Sequence, residues 1–261
     1  MTARLGPLFD TCRAERRAAL IGYLPAGYPT VARSTELFAA MADAGCDLVE
    51  VGVPYSDPVM DGPTIQAAAE TALRAGLRLR DVFTVVESVA RTGGRAVVMT
   101  YWNPVHRYGV DAFARDLAAA GGLGMITPDL VPDEAGDWLA AAEDNDLDRI
   151  FLVAPSSTDA RLASTADATR GFLYAASTMG VTGARDVVGS AAPSLVARVR
   201  EQAPDLPVGV GLGVCNGAQA AQLASFADAV IVGSAFVTAV DQGTDAVHAL
   251  TADLAAGVRR R

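Results

Sequence analysis

The sequence predicts a single (β/α)₈ barrel, and three observations lead to this fold class. The chain has 261 residues, which is close to the length of about 250 residues typical of such barrels. Short apolar runs alternate with helical patterns along the whole chain, as expected for parallel βα units. No low-complexity tract or polar linker divides the sequence, so we expect one domain over residues 1–261.

Eight apolar runs predict eight strands. They are Ala19 to Leu24, Leu48 to Val53, Ala96 to Tyr101, Leu123 to Thr127, Ile150 to Val153, Phe172 to Ala176, Pro207 to Val210 and Ala229 to Val232. A doubly wound open sheet would alternate in the same way, but eight units followed by a closing helix favour the barrel.

Helical patterns fill the segments between the runs. They cover Val31 to Ala44, Pro63 to Ala75, Leu79 to Arg91, Val110 to Ala120, Pro132 to Asn145, Thr158 to Ala168, Pro193 to Glu201, Gly217 to Ala224 and Ala246 to Ala256. Two of these patterns lie between the second and third strands, which predicts an extra helix there. The leading segment, Pro7 to Arg17, predicts a further helix over the bottom of the barrel.

Composition restricts the chemistry. All 21 basic residues are arginine, so the chain has no lysine for a Schiff base or a pyridoxal phosphate anchor. With only His106 and His248, a His-rich metal site is excluded, and we expect no metal. His248 lies in a helical pattern as a surface or packing residue, and His106 is a weak candidate for chemistry. The net charge of −9 argues against nucleic acid or an anionic membrane as a partner.

Localisation is expected to be cytoplasmic. The first twenty residues carry four arginines and no apolar run, which does not fit a signal peptide or an anchor. The most apolar window, Ala229 to Val240, is much shorter than the ~20 residues of a membrane span. Cys12, Cys46 and Cys215 have no metal-ligand spacing and suit a reducing compartment, so we interpret them as structural.

Two carboxylates flank the loop that follows the second predicted strand. Glu50 lies inside an apolar run, where desolvation disfavours its charged form and raises its pKa, unless it is simply paired inside the fold. Asp61 precedes the helix that begins near Pro63, on a loop that we expect to be solvated and to keep the carboxylate ionised. Its structural alternative is a helix cap. If the two carboxyl groups lie in different environments, their pKa values differ, which suits an acid–base pair.

Other polar and glycine residues also follow the predicted strands, where barrel enzymes collect their chemistry. Gly211 and Gly213 follow the seventh strand and Gly233 and Ser234 follow the eighth, which together predict a phosphate site, although each pair alone would also suit a plain turn. Tyr23, Tyr101 and Tyr174 lie at the ends of the first, third and sixth runs. Tyr174 lies two residues after Phe172, so both side chains point to the same face of the strand, and packing of the barrel is the alternative role of Tyr174.

Several motifs resemble those of the tryptophan synthase alpha chain family, in order along essentially the whole chain. They are Glu50 to Pro58, Asp61 to Gln66, Tyr101 to Pro104, Pro128 to Leu130, Gly180 to Gly183 and Gly233 to Ala235. The resemblance implies cleavage of indole-3-glycerol phosphate to indole and glyceraldehyde 3-phosphate, with Glu50 and Asp61 as the two catalytic carboxylates.

The resemblance also implies the substrate contacts and the partner. The predicted contacts are Tyr23, Tyr101, Tyr174, Thr182, Gly183, Gly211, Gly213, Gly233 and Ser234, with the loop around Thr182 acting as a lid. The chain itself is expected to need no cofactor. The implied partner is a pyridoxal phosphate beta chain that receives indole in an α₂β₂ tetramer, facing the loops near Asp57, Pro58 and Asn103.

Some positions depart from the family pattern. Tyr28 stands where an acid often follows the glycine, Met60 where a small residue usually precedes Asp61, and Gly122 to Gly124 where an acidic residue is common. None of these changes removes a catalytic group. Three alternatives stay open: a stand-alone lyase that releases indole, a non-catalytic subunit that only activates its partner, and a phosphosugar isomerase on the same barrel.

Overall fold

The structure is a computed structural model that describes residues 3–176, 191–211 and 213–259. In these ranges the strands are β1 (Ala19–Pro25), β2 (Leu48–Gly52), β3 (Ala96–Met99), β4 (Gly124–Thr127), β5 (Asp148–Val153), β6 (Leu173–Ala176), β7 (Val208–Gly211) and β8 (Ala229–Val232). They are parallel and form a closed barrel in sequence order, because β1 pairs with both β2 and β8. The predicted (β/α)₈ fold is confirmed.

The helices of the described part surround this barrel. They are α1 (Gly6–Ala14), α2 (Val31–Ala44), α3 (Pro63–Arg74), α4 (Leu79–Arg91), α5 (Trp102–Tyr108), α6 (Val110–Ala119), α7 (Gly136–Asp144), α8 (Asp159–Ala168), α9 (Ala191–Gln202), α10 (Gly217–Ala224), α11 (Ser234–Val240) and α12 (Thr244–Val258). Thr30, Thr158 and Asn216 begin α2, α8 and α10 as side-chain caps, each accepting a hydrogen bond from the N–H group three residues later. The extra helices α1 and α3 are confirmed.

The observed helices differ from the predicted ones in two ways. Helices α5 and α11 directly follow the third and eighth strands, where the sequence predicted loops. Each has only seven residues, which is too short for a clear apolar period. The helix predicted over Pro132 to Asn145 is interrupted: a 3₁₀ turn at Pro132–Glu134 ends at Ala135, and α7 begins at Gly136.

The barrel interior is filled by alternate residues of the strands. Its apolar core contains Ala19, Ile21, Leu48, Val97, Ile126, Ile150, Phe172, Ala229 and Ile231. Because side chains alternate between the two faces of a strand, the next inward positions of β1, β2 and β6 belong to Tyr23, Glu50 and Tyr174. The sequence thus directs one carboxyl and two phenol side chains toward the carboxyl end of the barrel.

Helix α1 closes the opposite end of the barrel. Leu5, Leu8, Phe9 and Cys12 pack against the inner core, and the rings of Phe9 and Phe172 are 5.8 Å apart. The N–H groups of Arg4 and Leu5 donate to Asp148, the first residue of β5, which locates the segment at the amino ends of the strands. The predicted helix over the bottom of the barrel is therefore confirmed.

We expect Asp148→Asn to lower the free energy of unfolding by about 2–4 kcal/mol. The Asp148 carboxylate is fully buried, and besides Arg4 and Leu5 it accepts a hydrogen bond from Nε of Arg170 at 2.8 Å. An amide removes the counter-charge of Arg170 and leaves at least one donor without an acceptor. Urea unfolding monitored by circular dichroism measures the change.

Asp146→Asn is the matched control, because Asp146 binds the same Arg170 at 2.8 Å but is 41% exposed. Its backbone has φ near 51°, a conformation that asparagine also tolerates. The cost should stay below about 1 kcal/mol. Equal losses for the two variants would contradict the importance of the buried position.

Candidate active site

Glu50 points into the barrel from the middle of β2. Its register partners are Tyr23 on β1 and Val97 on β3, and Leu48, two residues earlier on the same face, belongs to the apolar core. The side chain is 1% exposed. This is the position that the apolar run around Glu50 predicted.

The Glu50 carboxyl has no ion-pair partner among the described residues, and its Oε1 accepts no hydrogen bond from them. Burial alone raises its pKa from 4.5 to about 8. The described residues therefore do not support the alternative, in which Glu50 is paired inside the fold. A carboxyl group with a pKa near neutral pH can both give and take a proton.

This raised pKa makes stability depend on pH. Between pH 4.5 and pH 8 the folded chain holds a proton on Glu50 that the unfolded chain has released, so stability falls as the pH rises. The slope of this contribution is at most about 1.4 kcal/mol per pH unit. Glu50→Gln lacks the group, so its stability relative to the wild type should increase from pH 5 to pH 8 and level off above. Urea unfolding of both proteins across this range tests it; a constant difference would contradict the raised pKa.

Asp61 lies at the end of the loop between β2 and α3. Gly62 is the N-cap of α3 and no side chain caps that helix, so the alternative role of Asp61 as a cap is wrong. The loop is also less solvated than we predicted: the side chain is half-buried, and burial raises its pKa. The hydroxyl group of Tyr101 acts in the opposite direction and lowers that pKa.

Tyr23 is close to both carboxylates. Burial raises its pKa well above the ordinary value, and the charges of Asp61 and Glu50 raise it further, as expected for a phenol that faces both acids. Tyr101 and Tyr174 also contribute to its electrostatic environment. The structure thus brings together five residues that the sequence placed on separate strand ends.

Glycines at the ends of two strands leave room for the side chains of Tyr23 and Tyr174. A Cβ atom on Gly52 would lie 2.5 Å from the hydroxyl oxygen of Tyr23, and one on Gly211 would lie 2.4 Å from that of Tyr174. Only glycine permits such a close approach. Sequence reasoning missed Gly52 in this role, because the contact depends on the register between β1 and β2.

The glycines of the predicted phosphate site lie on the same side of the barrel. Gly211 ends β7, Gly213 follows with φ near 58°, and Gly233 is the N-cap of α11, which begins at Ser234. The first N–H groups of a helix have no partner within it, so they are available to an anion. Gly233 also borders the ring of Tyr23: a Cβ atom there would lie 3.4 Å from its Cδ1.

The remaining predicted residues lie apart from this group or outside the described residues. Thr182, Gly183 and the predicted lid around them lie outside the described residues. His106 and His248 are exposed, and His106 borders a cavity of about 400 Å³ with Trp102, Asn103 and Asp129. No group of three or more His, Cys, Asp or Glu side chains within the described ranges is placed to hold a metal ion. The three cysteines are free thiols.

A closed (β/α)₈ barrel with a carboxyl group inside β2 and another on the loop that follows is typical of barrel enzymes that use acid–base chemistry. The model of the tryptophan synthase alpha chain family matches residues 9–260. The chain is 68% identical over 257 residues to the tryptophan synthase alpha chains of Mycobacterium tuberculosis and Nocardia farcinica; the alignments cover 98% of this chain and 95% and 96% of those relatives. It therefore belongs to the tryptophan synthase alpha chain family.

Solved structures agree with this assignment. The structure of Mycobacterium tuberculosis tryptophan synthase has a TM-score of 0.96 at 67% identity, covering 99% of each chain. Tryptophan synthase subunit alpha from Legionella pneumophila has a TM-score of 0.86 at 29% identity, again covering 99% of each chain. The family consists of lyases that cleave indole-3-glycerol phosphate to indole and glyceraldehyde 3-phosphate, so the predicted family and enzyme class are confirmed.

Proposed function

We propose that this chain cleaves indole-3-glycerol phosphate with Glu50 as the proton donor and acceptor and Asp61 as the carboxylate that holds the indole N–H. The observation that carries this assignment is the buried Glu50, whose pKa is raised to about 8, facing the same Tyr23 that Asp61 faces. The two carboxyl groups lie in unlike environments, as an acid and a charge stabiliser require.

The reaction needs an electron sink, and the indole ring supplies it. Protonated Glu50 gives its proton to ring carbon 3, which forms an indolenine with positive charge on the nitrogen. Asp61 stabilises that charge through the ring N–H group. The Glu50 carboxylate then takes the proton of the side-chain hydroxyl group, the bond from carbon 3 to the side chain breaks toward the nitrogen, and indole and the aldehyde form. The chain needs no lysine imine, which agrees with the absence of lysine.

The phosphate group of the substrate is proposed to bind at the carboxyl ends of β7 and β8. Backbone N–H groups near Gly211, Gly213, Gly233 and Ser234 would hold it. The other predicted contacts, Thr182 and Gly183, lie outside the described residues. Tyr23 lies beside both Gly233 and the carboxylates, so the glycerol chain would pass along its ring. Tyr101 and Tyr174 complete the proposed substrate contacts.

Indole leaves this site for a second subunit in the proposed assembly. We place a tryptophan synthase beta chain, which carries the pyridoxal phosphate, on the loops near Asp57, Pro58 and Asn103 in an α₂β₂ tetramer. Val59 in this region is 71% exposed, so the proposed contact surface includes an apolar side chain. This chain is proposed to carry no cofactor and to be cytoplasmic. No helix of the described residues is long and apolar enough to span a membrane.

Release of indole from indole-3-glycerol phosphate tests the proposal. We expect slow release by the purified chain alone and a large acceleration when a tryptophan synthase beta chain and serine are added. Fast release without any partner effect would indicate a stand-alone lyase. No release alone, with activation of the beta chain, would indicate a non-catalytic subunit, and turnover of aminated or ribosylated sugar phosphates instead would indicate an isomerase.

A further inference from the structure

The loop that carries Asp61 is bound by a tyrosine from the end of the neighbouring strand. The N–H group of Met60 donates to the hydroxyl oxygen of Tyr101 at 3.0 Å, a contact between residues 41 positions apart. Tyr101 is 5% exposed and stands between β3 and α5, whereas the loop has no regular secondary structure. Because Met60 precedes Asp61 directly, this bond fixes the backbone beside the carboxylate.

The proton of the Tyr101 hydroxyl group is then free for a different acceptor. The oxygen already accepts from the backbone of the loop, and the carboxylate that faces it is Asp61. Donation to the ionised form of Asp61 favours that form, which opposes the effect of burial on its pKa. Among the described titratable groups, the charge of Asp61 acts on Tyr101 and, from β1, on Tyr23. Tyr23 is also close to Glu50 and Tyr174.

Neighbouring contacts hold Tyr101 in place. Its ring packs against that of Tyr55 with centroids 5.3 Å apart, and the Tyr55 hydroxyl oxygen accepts a hydrogen bond from Nδ2 of Asn103 at 3.0 Å. The N–H group of Trp102 donates to the Asp129 carboxylate at 2.8 Å, which fixes the start of α5 one residue after Tyr101. The phenol therefore has little freedom to leave the loop.

We infer that Tyr101 is a positioning residue for Asp61: its oxygen anchors the loop through Met60, and its proton is directed at the Asp61 carboxylate. This role goes beyond a substrate contact and rests on the proposed function of Asp61. The chemistry needs it because a buried carboxylate without a donor would bind a proton more readily and lose the charge that stabilises the indolenine.

Tyr101→Phe tests the inference, because phenylalanine keeps the ring contact with Tyr55 and removes only the hydroxyl group. We expect kcat for indole release to fall about tenfold or more, as for the loss of a hydrogen bond to a charged group. The acid limb of the kcat/KM profile should also move to higher pH, since Asp61 loses the donor that lowers its pKa. A change in KM alone, with an unmoved profile, would indicate a plain substrate contact and overturn the inference.

Tyr108→Phe is the matched control. The Tyr108 hydroxyl also donates to an aspartate, Asp116, at 2.6 Å, but on the helices outside the barrel. Its pH profile should equal that of the wild type, and the same acid-limb shift in this control would overturn the inference.

A double variant separates this inference from the proposed function. If Tyr101 acts through Asp61, adding Tyr101→Phe to Asp61→Asn should lower kcat no further. An additional tenfold loss in the double variant would overturn the inference while the catalytic role of Asp61 stands. Full activity of Asp61→Asn alone would overturn both.

Discussion

Glu50→Gln should lower kcat for indole release by roughly 10³–10⁴-fold, because the side chain is proposed to act twice, first as an acid and then as a base. Glutamine has nearly the same shape but cannot give a proton to ring carbon 3 or take one from the hydroxyl group. The substrate should still bind, since the proposed phosphate contacts at Gly233 and Ser234 are unchanged. Single-turnover release of indole from indole-3-glycerol phosphate, with the beta chain present, measures the loss.

The stability of Glu50→Gln provides the control for this result. The neutral amide replaces a carboxyl group whose burial disfavours charge, so the variant should be at least as stable as the wild type near pH 8. A loss of activity together with a folded protein assigns the loss to chemistry. If the folded variant kept near-full turnover, Glu50 would not be the acid and base.

Asp61→Asn should lower kcat by about 10²–10³-fold, as expected when one group that stabilises developing charge is removed. The amide can still accept a hydrogen bond from the indole N–H but has no negative charge for the indolenine. The effect should appear in kcat more than in KM, because the charge develops only during the reaction. Steady-state kinetics of indole release separate the two parameters.

Glu70→Gln is the control, because it also removes one negative charge, from the helix that follows the Asp61 loop. Glu70 lies on α3, nine residues after Asp61 in the sequence, and forms an exposed pair with Arg74. Its kcat should stay within about twofold of the wild type, as expected for an exposed pair of small energetic value. An equal loss in the two variants would indicate a general effect of charge and not a specific role of Asp61.

Most of the barrel could be predicted because its strands and helices are encoded locally. The apolar run of each strand and the caps of α2, α8 and α10 are readable from neighbouring residues. Helices α5 and α11 could not be predicted, since seven residues are too few to establish a period. Both follow strand ends directly, and neither was among the helical patterns that the sequence showed.

The candidate site could be predicted in part. Glu50 was identifiable because an acid in an apolar strand is unusual, and the structure agrees in burial and in the direction of its pKa. The environment of Asp61 was not, because the Pro- and Gly-rich loop reads as solvated, whereas in the structure Tyr101 binds the backbone at Met60. That contact joins residues far apart in the sequence, so no local sequence pattern predicts it.

The pH dependence of kcat/KM for cleavage of indole-3-glycerol phosphate tests the central claim most directly. This parameter reports the protonation of the free enzyme, in which Glu50 must carry its proton to begin the reaction. On the alkaline side of the profile, we predict a loss of activity above an apparent pKa of about 8. A rate that stays constant from pH 7 to pH 10 would contradict Glu50 as the buried acid.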